Sequence, residues 1–526
     1  MADIIVYGGG FQAVAAAAKA ANNALSKSVL VIVPYPVSKL GGIATVGGQN
    51  YWDTRGWNND MVQKGTFEYW YSQFGSFYNT DEMAELLLSN LAKYDNVTIL
   101  FKYDICNVTT ASNPYRITSV SLKNIYRDSD GNIKWGNDIK TESCSIFIDA
   151  SEEGRVARKV NSAVSTGRYD WPAAYLDNIE KNSYKVGRQQ AATLMFKMKG
   201  IIPGNYSDMN FSTSPEGVHG CWGGHNTYKT NTTVLSFNNT YGQQGYILKP
   251  INAAQNGLNS DEWWINAFLI FNVDGRANYR DVGTEFYPSY MLSGTKTTDQ
   301  AWIAAREFLK TNSLFLNAIR QFDGFANAEF VCENGYPVVG EVLYLRETVH
   351  MAIESTEIAN QSETNYQVTT AESNQAGSTY MQGSDIPNYA ARIGLAYYNA
   401  DVHPYKYTDL KNSSGEYIWG ADSFSQMRVD LNITDSSPLN PVFIPYQALT
   451  TNYVANLLLP GYAAGVSSFA WGEIRVFPNL CVLGDAAGIA AAYCVNSGKY
   501  PLYLNSSDIA SIQNTLASSA GARINK

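Results

Sequence analysis

Read for its hydrophobic positions, the N-terminal part of the chain is a succession of short, unbroken apolar runs. Ile4, Ile5, Val6 and Tyr7 form the first, "SVLVIV" the second, "VTILFKYDICNVTT" a third and "CSIFIDAS" another. Runs rich in β-branched and aromatic residues, without polar alternation, are the pattern of strands buried on both faces, and so of a parallel sheet. Between the first two runs the small helix formers from Ala13 to Ala21 predict a helix. "TDEMAELLLSNLAKYDN" predicts a second, amphipathic one, and "RITSVSLKNIYRDSDGNIKWGN" a β-hairpin or meander turning at "DSDGN". The pattern is that of an α/β protein: a Rossmann-like domain with a parallel sheet and a β-meander.

From about residue 161 the texture changes. Residues 161–429 are rich in aromatics, Gly and Asn and show few strand–helix alternations, with helical period in "TDQAWIAAREFLKTNSLFLNAIRQF" and "VLYLRETVHMAIES". They predict an inserted α+β substrate or cap domain. The tail returns to the first texture, where "CVLGDAAGIAAAYCVNSG" reads as strand, glycine turn and small-residue helix. Residues 1–160 and 430–526 would then form one discontinuous domain. A chain of 526 residues is long enough to need two cores.

Composition narrows the function classes. The net charge is −9, the isoelectric point near 5.1, and no cluster of Lys and Arg interrupts the sequence, which excludes a nucleic-acid partner. Apolar runs such as "SVLVIVPYPV" are too short and too broken by proline to span a bilayer. The partner expected is a small-molecule substrate; the oligomeric state is open. Ten N-x-S/T sequons and few basic residues lean toward an exported protein. The six cysteines include no C-x-x-C pair, which disfavours a structural zinc or a redox dithiol, and no metal is expected.

The first candidate chemistry is the turn after the first strand. Gly8, Gly10 and Ala13 fall on the spacing G-x-G-x-x-G/A, in which the first glycine makes the turn and the second lets backbone approach a pyrophosphate. A helix starting at Phe11 and Gln12 aims its free N–H groups and positive dipole end at that anion. A glycine turn between strand and helix is equally an ordinary connection.

Together, "VYGGGFQAVAAAAKAA", "KLGGIATVGGQN", "SIFIDASEEGRVARKV", "GEVLYLRETVHMAIES", "IPYQALTTNYVANLLLPGYAAG" and "EIRVFPNLCVLGDAAGIAAAY" resemble, in this order and over nearly the whole chain, the FAD-dependent oxidoreductases with a glutathione-reductase-like FAD domain. Within them the likeness is to a bacterial branch whose members carry the names FAD-dependent oxidoreductase or xanthan lyase. The resemblance implies FAD as cofactor. It implies that Gly41, Gly42 and Thr45 approach it after the second strand, that Ala150 of "IDASEEG" passes beneath it and that Ile105 meets the adenine through backbone. Gly484 and Asp485, followed by Ala487 and Gly488, resemble the second FAD motif, with Asp485 on a ribitol hydroxyl; a helix N-cap is the alternative for Asp485. The acid expected at the end of the second strand is absent, since Val33 stands there, leaving Tyr35, Ser38 or backbone to replace it. No second G-x-G-x-x-G unit supports a separate NAD(P)H site.

The expected activity is an FAD-dependent oxidoreductase taking hydride from a polar small molecule, such as a carbohydrate, to flavin N5. A flavoprotein fold that has lost catalysis, or a lyase without net redox, is the alternative. A base is needed for the accompanying proton. His350, four residues after Arg346 in the predicted helix, resembles a motif beside the flavin, so the two are the catalytic candidates. His219 and His225 in "GVHGCWGGHN" are candidates for a substrate loop, and Trp52 and Trp57 of "YWDTRGW" for a stacking wall.

Overall fold

The strand β1 (Ile4–Tyr7) lies at the centre of an all-parallel five-stranded sheet in a computed structural model, which describes residues 2–160, 162–351, 389–420, 423–430 and 440–526. The sheet order is Leu457–Leu458, Ile146–Asp149, β1, β2 (Val29–Val33) and Val97–Phe101, with Ile4 in register with Val29 on one side and Ile146 on the other. Every residue of β1 and β2 is buried, as their unbroken apolar runs require. α1 (Phe11–Asn23) connects them. Tyr103–Ala111, Arg116–Arg127 and Ile133–Ser143 form the antiparallel meander.

The second sheet is antiparallel along its main path, in the order Met209–Thr213, His219–Gly223, Tyr246–Gln255, Trp263–Ile270, Phe196–Lys199 and Glu329–Phe330. Its core is aromatic: Phe315, from a covering helix, meets Phe196 and Phe268 of the strands and Phe237 of a second helix. The fold is thus a Rossmann-like α/β part joined to an α+β part.

Two predicted elements differ. The tail stretch is not strand and turn: Phe477–Ser497 is one continuous helix of 21 residues, started at Pro478 and stopped by Gly498 in the left-handed conformation. The last parallel strand is instead Leu457–Leu458. The stretch "VLYLRETVHM" is not helical either. Val349–Met351 is a strand pairing antiparallel with Val164–Thr166, so Arg346 and His350 share no i, i+4 helix face; the residues after Met351 lie outside those described. β-Branched Thr348 and Val349 favour the extended form.

The long helix packs on α1, and small residues let the two approach closely. A Cβ on Gly484 would collide with the Gln12 carbonyl, and one on Gly488 with the Ala16 carbonyl. By length and composition this is the one helix among the described residues that could cross a membrane, yet 78% of its most apolar window is buried within the protein. Gly488→Ala is a sharp test of the packing. In an open helix this exchange gains about 1 kcal/mol; here overpacking costs roughly 1–3 kcal/mol. Thermal unfolding should therefore show a lowered Tm, and a raised one would mean the helices are not in contact there.

Candidate active site

The strand Tyr246–Gln255 shifts register against Trp263–Ile270 between Leu248 and Asn252, and Lys249 sits in this break. Irregularities of this kind re-aim side chains. Here Lys249 lines a polar cavity of about 270 Å³, close to the lower end of small-molecule pockets, roughly 300 Å³. Around it stand Tyr51 and Asp53, then Tyr344 and Arg346, then Tyr398, Asp401 and His403, with Trp419 and Arg475 completing the wall.

The cavity is electrostatically loaded. Arg475 binds Asp401 (Nη2 to Oδ2, 2.6 Å) and donates to the Tyr344 hydroxyl (2.8 Å). His403 Nε2 lies 3.4 Å from the same Asp401 carboxylate. Burial outweighs that neighbour and pushes His403 down to about 3, so it is neutral. His403 and Arg475 hold Asp401 below the usual carboxylate range despite burial. Among the described residues the acceptors of Arg346 are neutral, the Ala191 carbonyl (2.8 Å) and the Asn266 amide oxygen (3.3 Å). Lys249 donates to the Pro250 carbonyl at 3.0 Å. Burial, reinforced by Arg346, lowers its ammonium to about 7. Asp53 accepts from Tyr398 (3.3 Å) and Gln49 (3.4 Å), and burial raises it to about 6. Two groups that exchange protons near neutrality thus face one polar space, a combination typical of functional sites.

Of the residues expected from sequence, Arg346 lines this cavity and His350 does not. His350 is fully buried, its Nε2 2.9 Å from Glu347 Oε1 and its ring edge-on to Trp471. Trp52 is a core residue packed on Phe11, Phe67 and Tyr78, while its neighbours Tyr51 and Asp53 line the cavity. Trp57 lies in a two-residue strand under the Arg523 guanidinium. His219 bonds Thr213 and stacks parallel to Trp263, and His225 opens a short helix. Neither reaches the cavity. Lys249 and His403 were missed as site residues because no local motif surrounds either.

At the other expected site, Gly8 (φ 129°) makes the turn, and a Cβ there would lie 2.8 Å from the Ala150 carbonyl oxygen. Gly10 caps α1 in extended conformation and bridges to Gly41, whose N–H donates to the Gly9 carbonyl (2.6 Å). Gly41 and Gly42 both have positive φ. Several expected contacts are already used within the protein. The Ile105 carbonyl accepts from buried Arg155 (3.0 and 2.8 Å), itself paired with Asp281, so it is not free for an adenine. The Thr45 hydroxyl donates to the Leu40 carbonyl, and the Gln12 amide to the Ala150 carbonyl at 2.8 Å. Phe11 is in the aromatic core. Gly484, Ala487 and Gly488 lie inside the long helix, and Asp485 accepts from the Thr66 N–H (3.0 Å) at the start of α2 (Thr66–Phe74). Asp485 therefore caps a different helix from the one expected.

The turn's backbone fits a diphosphate: glycines on both sides and the open N-terminus of α1 give the approach. Two side chains stand over it. Tyr35 Cε2 lies 2.5 Å from where a Gly9 Cβ would be, and the Tyr35 hydroxyl and Glu152 Oε1 lie 2.7 and 3.2 Å from that of Gly42. The Tyr35 hydroxyl donates to Glu152 (3.0 Å). The middle glycine of "GGG", Gly9, is thus explained by Tyr35. The adjoining cavity, at the C-terminal ends of the parallel strands, is only about 110 Å³, and Gly8, Gly10, Gly42 and the first turn of α1 are the backbone that would hold a dinucleotide beside it.

Residues 3–516 match the family model described as FAD dependent oxidoreductase. No curated protein matches the sequence. Among solved structures the chain is similar to THI4 of Thermovibrio ammonificans (15% identity over 31% of this chain and 64% of that one, TM-score 0.22). It is similar also to the myxobacterial chondrochloren halogenase CndH (12%, 51% and 53%, TM-score 0.26). A third is CabE, an aromatic hydroxylase from angucycline biosynthesis (10%, 67% and 54%, TM-score 0.29). The chain thus spans less than two thirds of the length of each, and TM-scores of this size carry no further argument.

Proposed function

The chain belongs to the FAD dependent oxidoreductase family, and from that premise we propose that it oxidises a polar, hydroxyl-bearing small molecule, such as a carbohydrate, in the cavity around Lys249. FAD, when bound, supplies the two-electron acceptor for a hydride. The protein's part is to bind the substrate, orient its C–H bond and take the hydroxyl proton. The observation that carries this reading is the wall formed by residues 342–346. Val342, Leu343 and Leu345 line the crevice beside the glycine turn, while Tyr344 and Arg346 line the polar cavity. One short segment, bridged to Thr193 at Tyr344, thus serves both spaces.

Lys249 Nζ, uncharged in part near neutral pH, is the proton acceptor in this reading, and Asp53 faces it as an anion above about pH 6. Tyr51, Tyr398 and Trp419 give the flat surfaces, and Asn252 and Asn266 the neutral polar groups, that a hydroxylated molecule needs. The test is anaerobic mixing of FAD-loaded protein with a panel of sugars, polyols and hydroxy acids. Bleaching of the flavin band by a member of the panel is the expected result. A protein that converts a member while its flavin stays oxidised would replace this reading by chemistry without net redox.

A further inference from the structure

The cavity holds more cation than its own anions neutralise locally. Its charged residues are Arg346, Arg475 and Lys249 against Asp53 and Asp401. Asp401 is committed to Arg475 and His403, and Asp53 rests on two neutral donors. Arg346 is 1% exposed and has no carboxylate within ion-pair distance among the described residues. Its Nη groups meet a carbonyl and an amide oxygen, its guanidinium lies 4.6 Å over the Tyr344 ring, and its Nε is buried without an acceptor. Arg475 Nε and His403 Nδ1 are likewise buried and unsatisfied. A guanidinium buried with neutral partners alone is costly, and natural proteins pair such groups.

We infer that the molecule bound in this cavity carries a carboxylate, and that Arg346 binds it, which makes the substrate class a hydroxy acid or sugar acid. The inference rests on the cavity being the oxidoreductase's substrate site. A monoanion suits the charge present, since Asp401 answers Arg475 and no carboxylate among the described residues lies within ion-pair distance of Arg346. A dianion such as a phosphate ester would overfill it with negative charge. Each Nη keeps a second N–H beyond the one given to the Ala191 or Asn266 oxygen, and these together with the unsatisfied Nε are donors for a carboxylate.

The test compares binding of matched pairs by titration calorimetry to FAD-loaded protein: D-gluconate with D-glucitol, D-glucuronate with D-glucose, and L-lactate with propane-1,2-diol. A charged hydrogen bond contributes about 1.5–3 kcal/mol, so the acid of at least one pair should bind about 10- to 100-fold more tightly than its neutral partner. Arg346→Gln should erase that difference, and Arg346→Lys should recover part of it. Equal affinities within every pair, or a preference that survives Arg346→Gln, would overturn the inference. The comparison of pairs uses the unaltered protein, so misfolding of a variant cannot obscure it. Flavin absorbance in the same samples separates the two claims. An acid that binds through Arg346 without bleaching the flavin supports the carboxylate site and counts against oxidation. Neutral polyols that bleach it with no acid preference do the reverse.

Discussion

Lys249→Met reduces its flavin about two to four orders of magnitude more slowly than the parent, the usual value of a positioned base. The ammonium is buried, and burial together with Arg346 lowers it to about 7 against the opposing pull of Asp401 and Asp53. Methionine keeps the length of the stem but cannot accept a proton. It also removes a buried cation whose bonded acceptor is a carbonyl, so folding should not suffer. The sign of the pH effect follows from the role. A base works unprotonated, so kcat/KM of the parent rises with pH through about 7 and levels off, and the variant loses this rise. Stopped-flow reduction under anaerobic conditions measures both. A variant with the parent's rate and profile would remove Lys249 from the chemistry and leave Asp53 as the next group to replace.

The affinity for FAD falls as pH rises through about 7, by up to about tenfold per pH unit for the single proton involved. Glu152 is the cause. Burial raises its carboxyl to about 7, with Glu153 and Asp149 adding to the rise and the Tyr35 hydrogen bond opposing it. Its oxygen lies beside Gly42, on the side from which a diphosphate would approach the glycine turn. Arg127 and Arg280 face the same crevice but are paired with Glu341 and Asp104, and Asp299 there accepts from backbone. The neutral carboxyl tolerates a diphosphate and the ionised one repels it, so binding is tighter on the acid side. Glu152→Gln should make the dissociation constant independent of pH over this range. Quenching of FAD fluorescence in titrations on either side of pH 7 reads the effect. A slope unchanged in Glu152→Gln would place the titrating group elsewhere.

Much of the α/β part was legible because its signals are local. An unbroken apolar run, three glycines and an alanine-rich helix specify β1, the turn and α1 with no help from the rest of the chain. The tail misled for a physical reason. Gly484 and Gly488 look like turn glycines, but they serve helix contact, and the helix limits were marked by Pro478 and Gly498. "VLYLRETVHM" carries a helical period, whereas in the fold Tyr344 bridges to Thr193 and Val349–Met351 is a strand, both settled by partners distant in sequence. The polar cavity had no local signature. Asp53, Lys249, Arg346, His403 and Arg475 come from five distant stretches, brought together only by tertiary packing. Even Tyr35, visible as one replacement for the acid missing at Val33, gains its meaning from Glu152, which reaches it from the turn after the strand Ile146–Asp149.

The most direct test is the absorbance spectrum of protein incubated with FAD, freed of excess cofactor and then mixed anaerobically with the hydroxy acid that binds most tightly. A glycine cradle that holds FAD beside a substrate cavity predicts a yellow protein with one flavin per chain, whose flavin band bleaches on mixing. A protein that stays colourless after incubation, or one that stays yellow with the cavity filled, would contradict it.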